Sequence, residues 1–143
     1  MMKLEEFEPV IRKILAEGGN FQFAPRGTSM QPYIYQGRDQ VVLAPLPEGK
    51  LKKYQVILYK RKNGAYVLHR IVKVKKDSYT MRGDNQFQNE KGIKKEQMIG
   101  LVTKVVRGEK EKSMETITAR FTAMIWVKTA FLRKMYRYCK NHL

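Results

Sequence analysis

The stretch YQVILYKRKNGAYVLHRIVKV, residues 54–74, decides the fold. Two runs rich in β-branched and aromatic residues, 54–59 and 66–74, flank Lys62, Asn63 and Gly64. Such runs favour extended backbone, and Asn-Gly between them is turn chemistry, so the stretch reads as an antiparallel hairpin. Outward from it, residues 40–43, 78–81 and 99–106 are short runs of the same character, separated by Gly, Pro, Asn and Asp. Residues 20–107 therefore read as a mostly antiparallel β domain.

Helical periodicity appears on both flanks. Leu4, Phe7, Val10, Ile11, Ile14 and Leu15 recur at steps of three and four and are followed by Gly18 and Gly19, which predicts an amphipathic helix over 3–17. Residues 108–115 are polar and charged, and the helical period returns from Ile117 to Tyr138. One boundary near residue 109 separates residues 1–109, the β domain with its N-terminal helix, from residues 110–143, a basic amphipathic C-terminal helix. The expected fold is mainly β with a helix at each end.

A chain of 143 residues fits one domain with one appended element. Its 43% hydrophobic content supports an ordinary core and argues against a wholly disordered chain. Lys and Arg number 29 against 13 Asp and Glu, a formal charge of +16 that attracts any polyanion, whether nucleic acid or an anionic lipid surface. The lone Cys139 excludes an internal disulfide. Neither a signal peptide nor a membrane span is expected, because residues 1–8 are acidic and no uncharged apolar run reaches about 18 residues. Two histidines and one cysteine form no cluster, and no Gly-rich phosphate loop is present, so no metal and no cofactor are expected.

Three short blocks carry chemistry. In the first, Ser29 stands between Gly27 and Pro32 just before a strand, on a constrained turn that can hold its hydroxyl toward a substrate. In the second, His69 interrupts an apolar strand; a neutral imidazole, with an ordinary pKa of about 6.5, is the right base for a serine hydroxyl. In the third, residues 81–86, Asp84 is either a turn cap or the carboxylate that orients His69 or braces the loop carrying it.

The order of these blocks resembles the type I signal peptidases: Gly27 to Pro32, then His69 and Arg70, then Gly83 to Asn85, then Gly100 to Val102. The resemblance covers roughly residues 24–106, and a histidine rather than a lysine base places it with the endoplasmic reticulum and archaeal branch. It implies a signal-peptidase-like β domain and a serine endopeptidase that cuts a precursor peptide after small residues. Ser29 is then the nucleophile and His69 the base, with Asp84 as third group and Met30 beside the nucleophile. The family's second acidic position falls on Glu90. Family members often carry a serine two positions before the nucleophile, where this chain has Gly27, so the oxyanion would rest on the Ser29 amide with Thr28 as a second donor.

The family's transmembrane anchor has no counterpart in these residues. The expectation is a peripheral membrane location, or otherwise a cytoplasmic one, through a basic amphipathic helix over 116–138 or through a membrane partner that supplies the anchor. A competing reading is a non-catalytic nucleic-acid-binding β-barrel, with basic residues interleaved with Tyr54, Tyr59, Tyr66 and Tyr79; it leaves Ser29, Met30, Pro32 and His69 unexplained. A third is self-cleavage, as in the related repressor peptidase domains, but those use a lysine base and an attached DNA-binding domain.

Overall fold

The structure, a computed structural model, describes residues 4–142. Among these the chain forms α1 (Leu4–Ala16), β1 (Phe21–Phe23), β2 (Asp39–Ala44), β3 (Val56–Lys60), β4 (Tyr66–Val74), β5 (Tyr79–Arg82), β6 (Glu90–Ile93), β7 (Met98–Arg107), β8 (Lys110–Ser113), α2 (Ile117–Lys128) and α3 (Ala130–His142). The fold is mainly β, one antiparallel sheet with flanking helices, as the sequence indicates. Lys3, included in the predicted first helix, lies outside the described residues.

The quoted hairpin is the centre of the sheet. β3 and β4 pair antiparallel with Ile57 opposite His69 and Tyr59 opposite Val67. The strand order is β1-β2-β7-β3-β4-β5-β6, with β8 also on β7. β3 is buried on both faces, which explains its unbroken apolar run. Val56 and Leu58 enter one core with Met30, Leu43, Val102, Ile11 and Leu15. Ile57 and Tyr59 enter a second on the opposite face with Ile71, Met81 and Leu101. α1 closes the first core with Ile11 and Leu15, four residues apart and both buried, a gain of about 1.5–3 kcal/mol each. Leu15 sits over Gly100, where an added Cβ would lie 3.0 Å from its Cδ1. Glu8 ties the helix to the hairpin through Lys60 and the Tyr66 hydroxyl.

The C-terminal half departs from expectation in two ways. After residue 109 the chain first adds β8, pairing Lys110 with Arg107 and Ser113 with Lys104. The helix expected over 116–138 is two helices, because Thr129 leaves helical geometry and its hydroxyl bonds back to the Ile125 carbonyl at 2.7 Å. Thr116 caps the start of α2 by accepting from the Ala119 amide at 3.1 Å.

One buried carboxylate fixes the segment that follows the Ser29 turn. Asp39 accepts from the Tyr35 amide at 2.8 Å, from Arg107 Nε at 2.8 Å and from Arg38 Nη2 at 2.9 Å. Burial would raise its pKa, but these donors outweigh burial and hold it below the usual carboxylate range. Asp39→Ala should lower stability by about 1–3 kcal/mol in urea unfolding, since the Tyr35 amide loses its acceptor. Unchanged stability would show that Asp39 does not secure this segment.

Candidate active site

Ser29, Met30 and His69 line one cleft of roughly 240 Å³, together with Arg26, Gly27, Arg61, Tyr66 and Gln86. Ser29 is half-buried on the turn that enters this cleft, while Met30 turns into the core and anchors it. Gly27 opens that turn with φ +90°, in the region that favours glycine. Its amide donates to the Gln36 side chain, and the Tyr33 and Ile34 amides both donate to the Met30 carbonyl at 3.0 Å. Among the described residues the Ser29 amide has no hydrogen-bond partner.

Gly83 is where the two blocks meet. A Cβ added there would lie 2.6 Å from the Ser29 carbonyl oxygen, 3.1 Å from His69 Nε2 and 2.9 Å from Gln86 Oε1. Only a residue without a side chain lets the Ser29 turn and the imidazole pack this closely. Asn85, two residues further on, holds the turn in place: its amide donates to the Ser29 carbonyl at 2.8 Å, and its side chain donates to the Thr28 carbonyl at 3.2 Å. Among the described residues no direct hydrogen bond joins the Ser29 hydroxyl to His69, whose Nδ1 has the Tyr59 hydroxyl as its partner.

His69 is buried and its Nδ1 lies 3.3 Å from the Tyr59 hydroxyl. Burial pulls the imidazole down to about 4; Arg61 adds to this and Glu90 opposes it. Tyr59 is raised, first by burial and then by the Glu90 carboxylate beside it. Glu90 in turn is lowered, chiefly by Arg61, whose Nε and Nη2 reach its oxygens at 3.0 and 2.7 Å. A line therefore runs from His69 through Tyr59 to Glu90 and Arg61, so the family-implied Glu90 stands behind His69 at one remove. From sequence, Arg61 and Gln86 are not singled out, and Tyr59 is named only among the aromatic residues of the nucleic-acid alternative. Tyr59 was within reach of sequence, since in the hairpin's register it is the diagonal neighbour of His69 on one face.

Asp84 corrects the expectation that a carboxylate here orients His69. Its two oxygens accept from Arg70 Nε and Nη2, both at 2.8 Å, in a fully buried pair. Arg70 also donates to the Tyr54 carbonyl at 2.9 Å, so the pair joins β4, the β3 approach and the turn after β5. Bracing, the other role considered for Asp84, is the one its contacts serve. Thr28 is exposed and its hydroxyl has no partner among the described residues; it does not line the cleft.

β4 pairs with β5 only from Arg70 onward, so residues 66–69 keep an open edge along the cleft. Of the tyrosines that a nucleic-acid surface would need, Tyr59 and Tyr79 are buried in the second core, removed as platforms for bases. Among the described residues no three His, Cys, Asp or Glu side chains gather to hold a metal ion. Neither a family model, nor a curated protein, nor a solved structure matches the chain.

Asp84→Ala should cost about 3–5 kcal/mol, because it strands the buried Arg70 charge. A Asp84→Ala protein as stable as the parent, with activity lost and a shifted pH profile, would return Asp84 to the role of orienting His69.

Proposed function

We propose that the chain is a serine endopeptidase of the signal-peptidase kind, cutting a precursor peptide after small residues with Ser29 as nucleophile and His69 as base. The observation that carries this reading is the convergence of the Ser29 carbonyl and His69 Nε2 on the bare Cα of Gly83, in a cleft bounded by an open strand edge. An extended peptide pairing with residues 66–69 would run its backbone past Ser29.

In this mechanism the Tyr59 hydroxyl, 3.3 Å from Nδ1, accepts from His69 Nδ1–H. That tautomer puts the lone pair on Nε2, the nitrogen beside the Ser29 turn. His69 takes the Ser29 proton as Oγ attacks the scissile carbonyl carbon, and the oxyanion forms against the Ser29 amide, with Gln86 the neighbouring side-chain amide in the cleft. The tetrahedral adduct collapses, the C–N bond breaks, and the leaving amine takes the proton from His69. A water then gives its proton to His69 and attacks the acyl-enzyme, and the proton returns to Ser29.

With its pKa lowered to about 4, His69 is neutral throughout the physiological range and competent as a base there. Activity is then lost as pH falls through that value rather than near the ordinary 6.5. Stability carries the same sign: between about 6.5 and about 4 the unfolded chain binds a proton at His69 that the folded chain refuses, so the fold weakens across that window on acidification.

A quenched-fluorescence peptide with Ala at the first and third positions before the scissile bond tests the reading. Ser29→Ala and His69→Ala should each abolish turnover, and Ser29→Ala should leave thermal melting nearly unchanged. Gly83→Ala should lower kcat/KM by about 10²-fold or more through the displaced nucleophile. Parental turnover in His69→Ala would eliminate the dyad. Tyr59→Phe should lower kcat by about tenfold with KM little changed. An equal loss in KM would make Tyr59 a binding residue instead.

A further inference from the structure

α2 and α3 meet the β domain through a polar and aromatic seam rather than through their apolar faces. Trp126 Nε1 donates to the Asp84 carbonyl at 2.8 Å, its ring packs edge-on against Tyr33, and the Arg133 guanidinium stacks 3.5 Å above it. Arg82 donates to the Val127 carbonyl, and Arg137 donates to the Asn85 side chain at 2.8 Å.

The apolar residues are left outside. Among the described residues nine large hydrophobic side chains stand exposed, and eight of them belong to these two helices. Ile117, Phe121 and Ile125 follow one another at four-residue steps on α2, as Phe131 and Met135 do on α3. Ile117 is 88% exposed, Phe121 57%, Phe131 61% and Met135 59%. Eight exposed large apolar side chains gathered on two consecutive helices mark a surface made for contact.

The charge around it selects the partner. Residues 116–142 contain no Asp or Glu, while Arg120, Lys128, Lys134 and Lys140 are exposed among the apolar side chains. We propose that α2 and α3 lay this face on an anionic lipid surface, with the apolar side chains entering the headgroup–acyl boundary and the basic ones meeting the headgroups. A second copy of the chain would bring two wholly basic faces together without a carboxylate between them. A nucleic acid would satisfy the lysines and leave Ile117, Phe121 and Met135 in water. Among the described residues no helix is long and apolar enough to cross a membrane, so the helices lie on the surface.

The full chain, sedimented with vesicles of phosphatidylglycerol and phosphatidylcholine, tests this. It should bind these vesicles and bind phosphatidylcholine vesicles at least tenfold more weakly. The combined variant Ile117→Ser, Phe121→Ser, Phe131→Ser, Met135→Ser, with its charge unchanged, should lose at least tenfold in partitioning. A fluorophore on the exposed, free Cys139 of α3 reads the same event in the unmutated protein, by a blue shift when anionic vesicles are added. Equal partitioning of parent and variant would show adsorption by net charge alone and overturn the proposal. Absence of binding or of the blue shift would overturn it too, as would a dimer in solution that the variant dissolves. The peptidase activity is read separately in the soluble peptide assay, so each proposal stands or falls without the other.

Discussion

A guanidinium and a carboxylate, Arg70 and Asp84, are buried against each other with both hydrogen bonds made at 2.8 Å, and the arrangement of the cleft depends on them. Two charges removed from water hold together only while each keeps its partners, which makes the pair a rigid clamp rather than a large source of stability. It pins the turn after β5. That turn places the bare Gly83 against His69 and directs the Asn85 amide to the Ser29 carbonyl. The same turn offers the Asp84 carbonyl to Trp126, so the helix pair is seated on the element that holds the Ser29 turn.

Desolvation then acts on a site already shaped by that clamp. His69 is taken from water without a carboxylate on its ring, and burial lowers its proton affinity instead of raising it. With its pKa lowered to about 4, the imidazole is neutral at physiological pH. Glu90 acts on the imidazole through space and opposes the effect of burial, while Arg61 pairs with Glu90 and adds to that effect.

The β3–β4 hairpin was legible because apolar runs rich in β-branched and aromatic residues and an Asn-Gly turn all agree on it. β4 begins at Tyr66 as read, whereas β3 begins at Val56 rather than 54 because Tyr54 takes φ +78°. β6 and β8, Glu-Lys-Gly-Ile and Lys-Glu-Lys-Ser, were hidden, since strands lying at the margins of a sheet carry charge instead of apolar alternation. The break at Thr129 has neither glycine nor proline to announce it, and the apolar period passes through it. In the site, the sequence points to Ser29 and His69, and both line one cleft. The role of Asp84 was not legible, because Arg70 follows His69 directly and strand alternation turns the two to opposite faces; the carboxylate follows the arginine.

The central claim is that Ser29 is a nucleophile activated by His69, and covalent labelling reads it most directly. A fluorophosphonate probe incubated with the full chain at pH 7, followed by peptide mapping, should give saturable modification at Ser29, lost in His69→Ala while the fold is retained. Labelling elsewhere, or labelling of Ser29 at the same rate without His69, would contradict the account.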